Sequence, residues 1–186
     1  MTYLAGQCLP YGQMTPYLPV LTLLRQRCQI TETDVPDMIR AKLSRAVQEG
    51  AIGAEEEVAL LLQLLDVAVG TGPLANYSPT IRQAQIFALL RQMIVHSSPP
   101  PLLLVVEDVH WIDPTSEAWL ASVVAGLAQR PMLLLVTYRP GYQPPWLGQS
   151  YVTQLALPYL PAQESLRLVQ ATSQIASVQT TCNRRL

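Results

Sequence analysis

Lysine is all but missing from these 186 residues, with Lys42 the only one. It follows Ala41, so no Gly-Lys pair occurs anywhere in the chain. The pattern Gly-x-x-x-x-Gly-Lys-[Ser/Thr], whose backbone N–H groups and lysine grip nucleotide phosphates, is therefore absent. Charge of either sign is scarce, at 13% of residues against a usual share of about 25%. Twelve Lys+Arg against thirteen Asp+Glu leave a net charge of −1, with no basic excess to neutralise phosphates along DNA or RNA. A nucleic acid is excluded as the direct main partner. Cysteine is limited to Cys8, Cys28 and Cys182, with no Cys-x-x-Cys pair, which argues against a disulfide framework or a zinc site and for buried thiols. No apolar run reaches the roughly 18 residues a membrane span requires. Leu60–Val69 is broken by Gln63 and Asp66, and Ile86–Val95 by Arg91 and Gln92. Nor does a basic stretch and long apolar run follow Met1. A cytoplasmic chain with no membrane partner is the expectation.

What is present is apolar, at 49% hydrophobic residues, enough for one domain and the start of a second. Tyr3–Cys8 reads as a strand running out into a loop at Pro10, Gly12 and Pro16. Four helices follow by pattern. The first runs from Pro19 to about Gln29; the second is capped by Asp34 and stopped by Gly50; the third runs from the Glu55-Glu56-Glu57 turn to Gly70; the fourth goes from Ser78-Pro79 to His96. Leu102–Val106 and Met132–Val136 are continuous apolar runs, the signature of strands covered on both faces. Between them Asp113 or Thr115 caps a helix running through Trp119 to Leu127. Strand, helix, strand at this spacing is a parallel βαβ unit, so the fold class is α/β. A further strand is expected over Val152–Leu157, a helix from Pro161 to about Ser173, and a loose tail over Ala176–Leu186.

Chemistry concentrates at two strand ends. Leu102–Val106 delivers Glu107 and Asp108 at its carboxyl end, where open α/β sheets bind ligands. Hydrolysis of a nucleoside triphosphate needs one acid to hold hydrated Mg²⁺ and a second to orient the attacking water. A solvated strand end beside a helix cap fits the same two residues. The second strand ends in Thr137-Tyr138-Arg139, and arginine suits a phosphate, although Arg139 fits equally as an exposed partner for Glu107, Asp108 or Asp113.

The stretches Val105-Val106-Glu107-Asp108-Val109-His110-Trp111-Ile112-Asp113-Pro114-Thr115-Ser116 and Leu134-Leu135-Val136-Thr137-Tyr138-Arg139-Pro140-Gly141 resemble the AAA-type signal-transduction ATPases. More narrowly, they are similar to the ATP-binding region that follows the catalytic domain in many bacterial adenylate/guanylate cyclases and recurs in large transcriptional regulators. Leu9-Pro10-Tyr11-Gly12 and Thr15-Pro16-Tyr17 resemble the segment after that family's second strand, and Leu155 to Glu164 the entry to its lid. The resemblance implies ATP and Mg²⁺ as cofactors, Glu107 as the Mg²⁺-binding acid, Asp108 as the acid that polarises water, Arg139 as the γ-phosphate sensor, and Thr137 beside them at the nucleotide. His110 and Trp111 read as loop packing around a satisfied imidazole, and Asp113 as a helix cap.

The same resemblance implies an incomplete parallel-sheet, P-loop NTPase-like three-layer sandwich, with the first strand and phosphate loop missing. The family's first strand lies mid-sheet, so the edge of Met132–Val136 should stand unpaired. Residues 1–160 are expected to form the partial ATPase core and 161–186 the beginning of a truncated lid. The expected function is that of a fragment of an ATP-hydrolysing regulatory domain, inactive alone, with other domains of its parent chain or other proteins as partners. A non-catalytic protein-interaction module is the alternative, and a replication-initiator-like DNA-binding ATPase is disfavoured by the charge balance.

Overall fold

The structure is a computed structural model describing residues 1–50, 55–67, 78–159, 161 and 163–171. Two compact units divide it, Met1–Tyr151 and Val152–Leu186. In the first unit three parallel strands lie in the order β1 (Thr2–Gln7), β2 (Leu102–Glu107), β3 (Met132–Val136). The register pairs Leu4 with Leu104 and Leu104 with Leu134, so all three carboxyl ends meet at one edge of the sheet.

Among the described residues of this unit there are also five α-helices: α1 (Leu18–Arg27), α2 (Pro36–Glu49), α3 (Glu55–Leu64), α4 (Pro79–Arg91) and α5 (Pro114–Val124). Helices α1 and α5 cover the sheet face that carries Leu4, Gly6, Leu104 and Val106. Val106 lies beside Leu23 of α1 and Trp119 of α5, both wholly buried. Gly6 is required there because a Cβ would stand 2.9 Å from the Pro19 carbonyl oxygen. Cys8 and Cys28 are buried free thiols, and burial first of all pushes them up to about 12 and about 11, so both stay protonated at neutral pH. Cys182 lies outside the described residues.

Helix ends differ from the sequence reading for identifiable reasons. Asp34 does not cap α2; Val35 occupies that position without a side-chain bond. Asp34 instead accepts from Thr31 N–H at 2.8 Å and from Lys42 Nζ at 2.5 Å, bonds that hold its carboxyl below the usual range. Helix α3 stops at Leu64 rather than Gly70, because Asp66 turns left-handed (φ 57°) and the Val67 and Asp66 amides return to the Leu62 and Gln63 carbonyls. Gln29 (φ 56°) ends α1 the same way. The fourth helix reaches His96 as expected, with a π-helical last turn over Gln92–His96. Helix α5 ends at Val124, short of Leu127, and a 3-10 turn occupies Leu127–Gln129.

In the second unit, residues 152–159 carry no strand. An apolar pattern supplies only half of what a strand requires; the other half is a neighbouring strand in register with it. Residues 163–171 are helical, as part of the stretch expected from Pro161; the expected loose tail lies outside the described residues.

On the opposite sheet face the outer strands are exposed, Tyr3 59%, Leu133 63% and Leu135 49%, while Val105 of the central strand is buried. Among the described residues no strand pairs the outer edge of β3, as expected. An apolar edge without charge or proline invites pairing between molecules. The 186-residue chain alone is therefore expected to self-associate in sedimentation velocity, and Leu133→Lys to reduce this. A clean monomer at all concentrations would overturn the expectation.

Candidate functional site

The parallel register brings the sheet's chemistry to its carboxyl edge: Gln7 ends β1 opposite Glu107 at the end of β2, and Thr137 follows β3 at the same level. Asp108 is the centre of this edge. Its backbone is left-handed (φ 57°, ψ 39°), a conformation that short polar residues adopt more readily than others do. Neighbours hold it there. The Asp108 N–H donates to Thr137 Oγ1 at 3.0 Å, and the next amide, Val109 N–H, donates to the Thr137 carbonyl at 2.9 Å. A 3-10 turn over Val109–Trp111 follows, closed by Trp111 N–H on the Asp108 carbonyl.

The Asp108 carboxylate is flanked on both sides. Gln7 Nε2 donates to Oδ2 at 3.4 Å, and His110 Nδ1 stands 3.8 Å from Oδ1. His110 is not the satisfied imidazole expected from the sequence, since both ring nitrogens are buried without a hydrogen-bond partner. The His110 side chain is only 11% exposed and lies 5.0 Å from the Trp111 ring at a 44° tilt.

Glu107 and Arg139 are both exposed at this edge. Neither side chain forms a hydrogen bond or ion pair among the described residues, so the ion pairing of Arg139 with Glu107, Asp108 or Asp113 does not occur. Both remain available to a ligand. The Arg139 backbone, by contrast, is fixed in a turn, with Tyr142 N–H donating to its carbonyl across Pro140 and Gly141.

Asp113 is the cap of α5, and Thr115 is not. Its Oδ1 accepts from Thr115 N–H at 3.1 Å, Ser116 N–H at 2.9 Å and, from the start of α1, Tyr17 N–H at 3.4 Å. Lys42 is far from phosphate chemistry in role, since its Nζ donates to the Gln29 carbonyl and to Asp34, clasping the turn between α1 and α2.

The residues fit one part of a Mg²⁺–nucleotide site. An unpaired carboxylate at a strand end suits Mg²⁺, which keeps most of its waters and takes one or two carboxylates beside substrate phosphates. An unpaired guanidinium suits a phosphate. No phosphate cradle exists among the described residues, and no cluster of three metal-ligating side chains either. No helix among them is long and apolar enough to cross a membrane. Sequence reasoning missed Gln7; its place at the end of a strand parallel to β2 was the available signal.

A family model described as an AAA ATPase domain matches residues 1–136. An uncharacterized protein of Rhizobium meliloti (strain 1021) is 31% identical over 166 residues, covering 89% of this chain and 16% of that protein's own length. The chain thus spans a small part of that relative. No solved structure matches.

Proposed function

The chain belongs to the AAA ATPase domain family, and from that premise we propose that it carries the hydrolytic edge of an ATP-binding regulatory domain in a bacterial signalling protein, cyclase-linked or transcription-linked. Glu107 would hold a hydrated Mg²⁺, which would neutralise charge developing on the triphosphate. Asp108 orients a water for in-line attack on the γ-phosphorus and accepts its proton as the bond to the ADP oxygen breaks. Arg139 contacts the γ-phosphate and is released when phosphate leaves, and Thr137 lies beside the nucleotide. The observation that best supports this reading is the Asp108–Thr137 bond, which joins the acidic strand end to the one that bears Arg139.

The 186-residue chain alone does not hydrolyse ATP in this reading, because no Gly-Lys pair exists in it to cradle the phosphates. Calorimetry tests it with Mg·ATP titrated into the 186-residue chain and into a polypeptide extended upstream of Met1 in the same reading frame. Binding by the extended polypeptide alone is the expected result. Binding by the shorter chain would mean that the nucleotide sits elsewhere.

The exposed apolar side chains of the outer strands, Tyr3, Leu133 and Leu135, favour one second reading, a non-catalytic interaction module. A stop codon just upstream of Met1, together with no nucleotide binding, would support it.

A further inference from the structure

The segment after β3 is tied to α5 in a way that the hydrolytic chemistry alone does not call for. Arg139-Pro140-Gly141-Tyr142 is a β-turn with Pro and Gly at its centre; Gly141 has φ +100°, as the third position of a type II turn requires. Only backbone bonds hold its first residue, Arg139. Its last residue, Tyr142, is half-buried, its ring meets Tyr138 edge-on at 5.7 Å, and its hydroxyl donates to Glu117 Oε1 in the first turn of α5. Burial, then the bond to Glu117, push the Tyr142 phenol above its usual range, so the hydroxyl keeps its proton.

We propose that Tyr142 and Glu117 form a latch that sets the position of Arg139, making them positioning residues that couple α5 to the reading of the γ-phosphate. The proposal rests on Arg139 being the phosphate-reading group. Its geometry is direct. A four-residue turn, closed by the Tyr142 N–H to Arg139 carbonyl bond at 3.4 Å, has Arg139 at one end and a side-chain anchor on α5 at the other. Movement of α5 by a ligand or partner would therefore move the guanidinium, and loss of the γ-phosphate would be felt at Glu117. This gives the domain a mechanical output separate from hydrolysis. The latch can be removed without unfolding the segment, because Trp146 is 5% exposed and Tyr151 Oη donates to the Val124 carbonyl at 3.2 Å, anchoring its later part independently.

The test has two arms. In the 186-residue chain, the Arg139 Nε–Hε signal in ¹H–¹⁵N NMR, identified by its loss in Arg139→Lys, is followed in Tyr142→Phe, Glu117→Ala and the double variant. Each single change is expected to shift that signal, and the double change to add nothing further, as for two ends of one contact. In the upstream-extended polypeptide, the same variants are expected to lower the preference for ATP over ADP about tenfold, in the usual range for coupled sites, with ADP affinity unchanged. An unmoved Arg139 signal overturns the latch. So does a shifted signal with an unchanged ATP-to-ADP preference, or equal losses for both nucleotides. If the unmodified extended polypeptide binds no nucleotide, the ATPase reading fails instead, and the NMR arm alone decides whether the latch places Arg139.

Discussion

Asp108→Asn, made in the nucleotide-binding polypeptide, is expected to lower kcat for ATP hydrolysis by about 10²- to 10⁴-fold, the usual weight of a positioned general base, while Mg·ATP affinity changes little. The substitution is chosen for what it leaves intact. Asparagine tolerates the left-handed backbone nearly as well as aspartate does, so the φ of 57° costs little more than before. The bonds from the Asp108 and Val109 amides to Thr137 are backbone-donated and survive any side chain at this position. Only the carboxylate is lost, and with it the acceptor for the water's proton. Glu107→Gln should behave differently, weakening the Mg²⁺ dependence of binding as well as turnover. Single-turnover hydrolysis measured beside equilibrium binding separates the two. Turnover by Asp108→Asn within about threefold of the parent, far short of a general-base effect, would remove Asp108 from the chemistry.

Asp113→Ala is expected to destabilise the first unit by about 2 kcal/mol, a fall of roughly 4–8 °C in Tm for a domain of this size. Asp113 is 2% exposed, and one oxygen accepts all three of its hydrogen bonds. Loss of the α5 cap accounts for about 1–2 kcal/mol, and the Tyr17 amide left without its acceptor adds about 1 more. An opposing effect limits the total. Asp113 Oδ2 is buried without a partner, so deleting the side chain also removes a desolvation penalty. Asp113→Asn keeps the Oδ1 acceptor and places a neutral amide at the orphaned position, so its loss should stay below about 1 kcal/mol. Urea unfolding of the two variants checks the ranking. Equal losses would show that the negative charge, rather than the acceptor geometry, matters at the helix start. Tyr17, itself left-handed (φ 66°), explains why this cap reaches beyond its own helix: α1 begins without a side-chain cap and takes Asp113 as its anchor.

The residue pattern by itself determined the α/β class, the position of the three strands, the parallel direction of β2 and β3, and the placing of Glu107, Asp108, Thr137 and Arg139 at one edge. Continuous apolar runs and proline or glycine stops are local properties, and a parallel sheet puts every carboxyl end on the same side. The absent Gly-Lys pair needed no structure either. Tertiary structure decided what each polar side chain does. Asp34 and Asp113 carry the same cap signal, yet Lys42 takes one and the start of α1 shares the other, since the nearest strong donor wins a carboxylate. The run at Val152–Leu157 carries no strand, because an alternating or apolar run becomes one only in register with a neighbouring strand. Gln7 and the Tyr142–Glu117 latch depend on contacts across 101 and 25 positions of sequence, and His110 is orphaned because its ring is buried where no hydrogen-bond partner stands. No local propensity encodes such contacts; packing of α5 and the register of three strands create them.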